Sequence, residues 1–320
     1  MSAARAARIS IAVIIAIIVG SCIGVYVHNH IAAPPPAPTT YSVGLGVEFN
    51  THATPIWIAL NKNLFSKYGL HVSKVLKFKT GLELAAAFAR GEVQAGWACL
   101  GPALMIIAKG VPIKIVAKVH NYGYALVVNP RKVKSIKDLN GKVVYAPGKG
   151  SPCYLLLLKI EKKYGVKFAA IKFMKPPTAL AALLSGEIEA AAIPEPYCSV
   201  AQYKGLKVLV RASDVWPDMP GSFLVVTESL LKKHPDVVKK LVEVTDAGIR
   251  ILKSNMTYAA QVDSKVLGIP FKVALQSIRH LQWNTTISIK AIQQYINFMY
   301  EHGILKKKLN ASDIVVVVKP

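Results

Sequence analysis

Residues 80–119 read TGLELAAAFARGEVQAGWACLGPALMIIAKGVPIKIVAKV, and the punctuation of this run decides the fold. Apolar residues at helical spacing fill 81–90, Gly91 closes them, and a short apolar strand follows over 93–98. Gly101-Pro102 then opens a helix that runs to Lys109, Gly110 closes it, and 113–119 is again a strand. Short strands alternating with glycine-closed helices predict βαβ units and a mainly parallel sheet.

The same plan extends in both directions. Upstream, 41–47 reads as a strand, EFNTHATP as a loop, 56–61 as a helix and 71–78 as a second strand. Downstream, strands are expected over 124–128, 143–145, 168–173 and 190–193, with helices over 153–164 and 178–184. FARGEVQAGW at 88–97 and LLSGEIEAAA at 183–192 both run from a helix through Gly-Glu into an apolar strand. That echo predicts two α/β lobes of like design around a ligand cleft: 41–123 with 218–320 as one lobe, 124–217 as the other. Chain crossovers are expected near 120–126 and 211–223. The stretch 226–310 is mostly helical in pattern, with Pro235 at a helix start.

The segment before residue 41 belongs to a different solvent. Ile9 to Val27 is an uncharged apolar run preceded by Arg5 and Arg8. A helix of that length spans about 30 Å, enough for a hydrocarbon core, and the flanking arginines keep residues 1–8 on the cytoplasmic side. The expectation is one transmembrane anchor over 9–27, with the rest of the chain at the outer face of the membrane. A cleaved signal peptide is the competing reading, and Val19-Gly20-Ser21-Cys22 is a loose match to a lipidation site. Residues 28–40 carry prolines at 34, 35, 36 and 38 and read as an extended spacer.

A formal charge of +23 accompanies these features, and only two arginines and no acid fall in residues 1–40. The lysines are dispersed, with no Cys/His finger and no basic helix joined to heptads, so nucleic acid is not an expected partner. Cys99, Cys153 and Cys198 are isolated and lack metal-ligand spacing, so neither a cofactor nor a metal is expected from the pattern. Asn255, Asn284 and Asn310 begin glycosylation sequons.

In open parallel sheets ligands sit beyond the carboxyl ends of the strands. The loops there are 48–55, 99–102, 120–124, 147–153 and 194–197. They nominate Asn50, Thr51 and His52 as hydrogen-bonding groups after a strand, and Cys99, Leu100 and Gly101 before a helix whose free N–H groups hold an anion. Lys149, Gly150 and Ser151 precede another helix and suit a carboxylate, sulfonate or phosphate; the spacing is not that of a P-loop. Glu195, held between two prolines, and Tyr197 end a strand, with a salt bridge as the alternative role for Glu195. His120, Asn121 and Tyr122 stand at the first crossover, and Trp57, Trp97, Tyr122 and Tyr154 are candidates for an aromatic wall.

Five stretches, in order, resemble one family. EFNTHATPIWIALNKNLFSKYGLHVS, GLELAAAFARGEVQAG, KSIKDLNGKVVYAPGKGSP, LLSGEIEAAAIPEPY and KKHPDVVKKLVEVTDAG are similar to the solute-binding proteins of nitrate, sulfonate, taurine, bicarbonate and thiamine-precursor importers. The resemblance covers roughly residues 41 to 300. It implies the periplasmic-binding-protein type II fold, a small-molecule solute in the cleft, and ABC permease and ATPase partners. An anionic solute is favoured over a thiamine-precursor pyrimidine, and a sensory or adhesive surface protein with the same cleft is a third reading. Thiamine-pyrimidine synthases share the domain but carry a cysteine-rich stretch absent here. His52 would be the chemical residue of an enzyme, and the expectation is a binding protein.

Overall fold

A computed structural model describes residues 41–320; the apolar run 9–27, the spacer 28–40 and Cys22 lie outside the described residues. Among the described residues no helix is long and apolar enough to cross a membrane.

The apolar periodicity resolves into twelve strands. They are β1 (Ser42–Glu48), β2 (His71–Phe78), β3 (Ala95–Cys99), β4 (Ile113–Lys118), β5 (His120–Tyr122), β6 (Tyr124–Val128), β7 (Val143–Ala146), β8 (Ala170–Phe173), β9 (Ala190–Pro194), β10 (Lys207–Arg211), β11 (Ser222–Thr227) and β12 (Leu281–Trp283). Two five-stranded sheets form, in the orders β2-β1-β3-β11-β4 and β8-β7-β9-β6-β10. Written this way the two orders are the same pattern. β1, β2 and β3 are parallel, as are β7, β8 and β9, and each sheet has one antiparallel strand next to its third. The echo between 88–97 and 183–192 falls on equivalent positions, the helix and strand that lead into β3 and β9.

Each antiparallel strand is the first one laid down after the chain changes sheets. β4, ending at Lys118, leads through β5 into β6, and β10, ending at Arg211, leads through a single helical turn into β11. The sheet-to-sheet passages are braced by a small ribbon in which β5 pairs with β12.

Apolar side chains fill three clusters, one of which runs from the first sheet to the second. The long helix Pro235–Ser254 starts with Pro in its first turn and buries Val238, Leu241, Val242, Ile249 and Leu252. Trp97 donates its indole N–H to Thr245 Oγ1 on that helix at 3.0 Å, so it is core and not part of an aromatic wall. Helix Ile289–Glu301 lies against the second passage, where Trp216 stacks on Tyr295 with ring centroids 5.1 Å apart and Lys159 sits 4.5 Å above Trp216.

The two halves meet closely. Across the seam Lys175 pairs with Glu83 at 2.7 Å and Glu195 meets His280 at 2.7 Å, while Arg211 of the same half as Glu195 reaches it at 3.4 Å. The tightest approach is glycine to glycine: a Cβ on Gly101 would collide with the backbone carbonyl of Gly150 and lie 3.1 Å from the Tyr295 hydroxyl. A backbone atom cannot swing aside as a flexible side chain does. Gly101→Ala is therefore expected to hold the halves apart while leaving each folded, seen as a larger radius of gyration in X-ray scattering with unchanged circular dichroism. Scattering identical to the parent would contradict this role.

One buried acid sets a pH dependence. The Thr54 hydroxyl lies 2.6 Å from the Thr51 carbonyl and 2.9 Å from Asp263 Oδ2, and it has one hydrogen to give. That single hydrogen is shared between the two acceptors, the Thr51 carbonyl and the Asp263 carboxyl. Burial, the largest influence, pushes the Asp263 carboxyl well above its usual range, against hydrogen bonds from Thr54 and Thr51. The folded state keeps the carboxyl proton above the pH at which the unfolded chain releases it, so stability falls as pH rises beyond the ordinary carboxylate range. Asp263→Asn keeps a partner for Thr54 without that loss, and its melting temperature is expected to exceed the parent's at pH 8 but not at pH 4. Asp263→Ala, which strands the Thr54 hydroxyl, is expected to cost about 1–3 kcal/mol.

Candidate functional site

The carboxyl ends of β1, β3, β7 and β9 point into the seam between the sheets, and there the chain lines a partly open cavity of about 30 Å³. That is room for about two water-sized groups while the halves are together. Glu48 comes from the end of β1, Cys99 from the end of β3, Pro147 from just beyond β7, and Pro194 from the end of β9. Four helix starts complete the wall: Gly81 of Gly81–Ala89, Pro102 in the first turn of Leu100–Ala108, Pro152 and Cys153 of Pro152–Tyr164, and Pro176 of Pro176–Ser185. The positive end of each helix macrodipole faces the same small space.

Local sequence explains each start. Thr80 and Ser151 are N-caps, accepting the N–H groups of Glu83 and Tyr154 at 3.2 Å each, and Pro152 and Pro176 occupy first-turn positions that need no N–H. At Leu100–Ala108 a carboxylate stands in for a cap: Glu48 Oε1 accepts the Cys99 N–H at 2.7 Å. Asn50 folds the loop after β1, its side chain accepting the His52 N–H at 2.9 Å and donating to Glu48 Oε2 at 3.3 Å.

Behind the cavity wall lies a dry polar cluster. The Cys99 thiol donates to Glu48 Oε2 at 3.3 Å, which leaves Tyr124 to donate its hydroxyl to Sγ at 3.3 Å. His52 gives its Nε2–H to the Gly123 carbonyl at 3.1 Å, so Nδ1 is the unprotonated nitrogen and faces Cys99 Sγ at 3.9 Å. His120 and Tyr124 meet the His52 ring edge-on, with centroids 4.6 and 4.9 Å away. All these side chains are buried.

Burial dominates the electrostatics and favours neutral forms. It raises the Glu48 carboxyl, against the hydrogen bonds from Cys99 and Asn50. It lowers His52 to about 4, against the Gly123 carbonyl and the charge of Glu195, and drives His120 well below its usual value. Burial and then the neighbouring Glu48 push the Cys99 thiol well up.

Of the residues nominated from sequence, Asn50, Cys99 and Ser151 line the cavity. His52 stands behind Cys99, and Thr51 turns toward Asp263. Leu100 and Gly101 lie inside the helix after β3, Gly101 serving the contact between halves. Lys149 is exposed and outside the lining, and Gly150 packs against Gly101 and Met105. His120, Asn121 and Tyr122 belong to the brace: Asn121 donates to Gln282 Oε1 at 2.9 Å, and the Tyr122 hydroxyl accepts the Asp218 N–H at 3.0 Å. Glu195 is outside the lining and takes the salt-bridge role, while Tyr197 opens a helix and Tyr154 packs against Phe173. Trp57 donates to the Asn50 carbonyl at 3.2 Å, which places it beneath the site. The sequons are partly engaged, Asn255 and Asn310 as helix caps and Asn284 in a turn. Cys99, Cys153 and Cys198 are all buried and unpaired.

Glu48, Thr80 and Tyr124 were not singled out from the sequence. Glu48 has a signal, as the polar residue that ends an otherwise apolar strand, and Thr80 has one as a threonine directly before a helix with Glu three positions on. Tyr124 has none, because it opens a strand whose apolar pattern reads as core.

Relatives share this plan. The chain is 29% identical over 204 residues to a taurine-binding periplasmic protein of Escherichia coli (strain K12), covering 62% of this chain and 63% of that one. It is 27% identical over 193 residues to a putative aliphatic sulfonates-binding protein of the same organism, covering 58% and 60%. The chain thus spans less than two thirds of the length of either relative. The solved alkanesulfonate-binding protein SsuA from Xanthomonas axonopodis pv. citri, bound to MOPS, superposes with a TM-score of 0.77 at 20% identity, covering 89% of this chain and 100% of that one, a likeness of fold. Residues 36–263 match the model of the NMT1-like family, and the chain belongs to that family.

Proposed function

We propose that this chain is the solute-binding component of an ABC-type importer, held at the outer face of a membrane, and that its cleft captures a small anionic solute. The observation that carries the reading is the convergence of four helix N-termini on one small cavity at the carboxyl ends of β1, β3, β7 and β9. Such ends attract an anion through backbone dipoles and N–H groups. The acid in the cavity wall, Glu48, has its carboxyl raised by burial and its oxygens already engaged by the Cys99 N–H, the Cys99 thiol and the Asn50 amide. The sulfonate- and taurine-binding names of the relatives support the same solute class.

Binding fits the site better than catalysis. A cysteine nucleophile acts as the thiolate, and Cys99 is pushed the other way, with its hydrogen committed to a carboxyl. The close approach of the halves across Gly101 and Gly150 suits a cleft that closes around its occupant.

Calorimetry and native mass spectrometry of metal-free full-length protein against nitrate, taurine, ethanesulfonate, acetate and an aminopyrimidine would test this. At least one anion is expected to bind one to one, with Glu48→Gln keeping or tightening that affinity. Binding of the pyrimidine alone, lost on Glu48→Gln, would overturn the anion reading in favour of a solute that donates to a carboxylate.

A further inference from the structure

We infer that Glu48, His52 and Cys99 form a binding site for one divalent transition-metal ion of the zinc type, with its fourth position open to the cavity. One ligand atom from each residue lies within 4.8 Å of the other two, and all three residues are buried. Cys99 Sγ stands 3.3 Å from Glu48 Oε2 and 3.9 Å from His52 Nδ1. A tetrahedral zinc site with Zn–S near 2.3 Å and Zn–N or Zn–O near 2.0–2.1 Å has ligand-to-ligand edges of about 3.4–3.6 Å. An ion fits between these atoms with side-chain shifts of a few tenths of an ångström to about an ångström.

His52 is the second and independent sign. Its Nε2–H is given to the Gly123 carbonyl at 3.1 Å, the outer contact that fixes tautomer and ring orientation in histidine metal ligands. The lone pair on Nδ1 is therefore aimed inward, and its partner there is a thiol at 3.9 Å, long for a buried acceptor. His120 and Tyr124 pack edge-on against the ring and the Asn50 side chain accepts the His52 N–H, so the ring is held in place by neighbours.

The donor set selects the ion. Thiolate with imidazole suits zinc and its neighbours, whereas calcium and magnesium take oxygen cages. One divalent ion balances one carboxylate and one thiolate, leaving a neutral centre in a dry place. Three protein ligands with a free position is the arrangement that accepts an outside ligand. Glu48 and Cys99 both line the cavity, so that position faces the space assigned above to the solute. Only this last step, an anionic head group on the ion, rests on the proposed function; uptake of the ion does not.

The test uses demetallated full-length protein titrated with Zn²⁺ against a chromophoric chelator, and with Co²⁺ followed by absorption. One equivalent of Zn²⁺ per chain is expected, and the Co²⁺ form should show a near-ultraviolet thiolate charge-transfer band with the strong visible bands of four-coordination. Cys99→Ser should abolish the charge-transfer band, and His52→Gln should weaken Zn²⁺ about 10–100-fold. The exposed His71→Gln should change neither. Failure of the folded parent to take up one equivalent, a Co²⁺ spectrum without the thiolate band, or uptake unaltered in both Cys99→Ser and His52→Gln would overturn the inference. The parent's Co²⁺ spectrum decides the matter even if a variant fails to fold. Anion binding without metal uptake would sink this inference and leave the proposed function standing.

Discussion

Glu48 Oε1 accepts the Cys99 N–H at 2.7 Å, and that one bond joins the end of β1 to the start of the helix after β3. It places a carboxyl where a helix N-terminus would otherwise seek an outside anion. The rest of the cleft floor is arranged around it. Asn50 reaches back to the same carboxyl, the thiol of Cys99 donates to it, and Tyr124 arrives from the second sheet to donate to the thiol. A chain of buried polar groups thus runs from one half to the other along the cavity wall. Each member has a partner, which is the condition under which a buried polar network adds order instead of cost.

The two halves are alike because the chain solves the same problem twice. Each sheet holds a βαβ unit, a third parallel strand, and one antiparallel strand that the chain lays down on arriving from the other sheet. Two short passages therefore tie the halves together. Gly101 and Gly150 set how far closing can go, since backbone meets backbone there and no side chain intervenes. Cavity size follows from that contact. A larger residue at either position would enlarge the cavity only by separating its walls.

Legibility in the sequence followed the range of the interactions. Helices and strands set by local periodicity and glycine punctuation, such as Gly81–Ala89 and β3, stood within a residue or two of their observed ends. The echo of 88–97 in 183–192 predicted paired sheets because topology repeats when a local pattern repeats. The ribbon of β5 with β12 was invisible, since three residues near 121 pair with three near 282 and neither run is long enough to show a period. The site divided in the same way. Asn50 and Ser151 were legible as polar groups at strand and helix ends. Lys149 was persuasive by type, yet an exposed side chain beside a loop says nothing about which way the loop faces. The proximity of Glu48 to Cys99 spans some fifty positions of sequence, and no spacing rule for metal or catalytic motifs reaches so far.

The large positive charge and the positive character of the cavity have different origins and act at different distances. Of the lysines near the cleft, Lys79 is exposed but contributes to the cavity lining, Lys149 is exposed and outside it, and Lys175 is engaged by Glu83. Charges in that position are screened within about 8–10 Å by physiological salt. Their effect on a small anion is to raise its encounter rate with the open cleft, not to hold it once the halves have closed. Holding falls to the helix ends, which are fixed by the fold and shielded from salt. A chain of this composition can therefore vary its lysines away from the lining, Lys149 among them, without altering what the cavity selects, whereas Lys79 belongs to the lining. The selection is altered by a change at Glu48, Thr80, Tyr124 or Ser151, where the backbone dipoles converge and where each side chain already has a structural bond to keep.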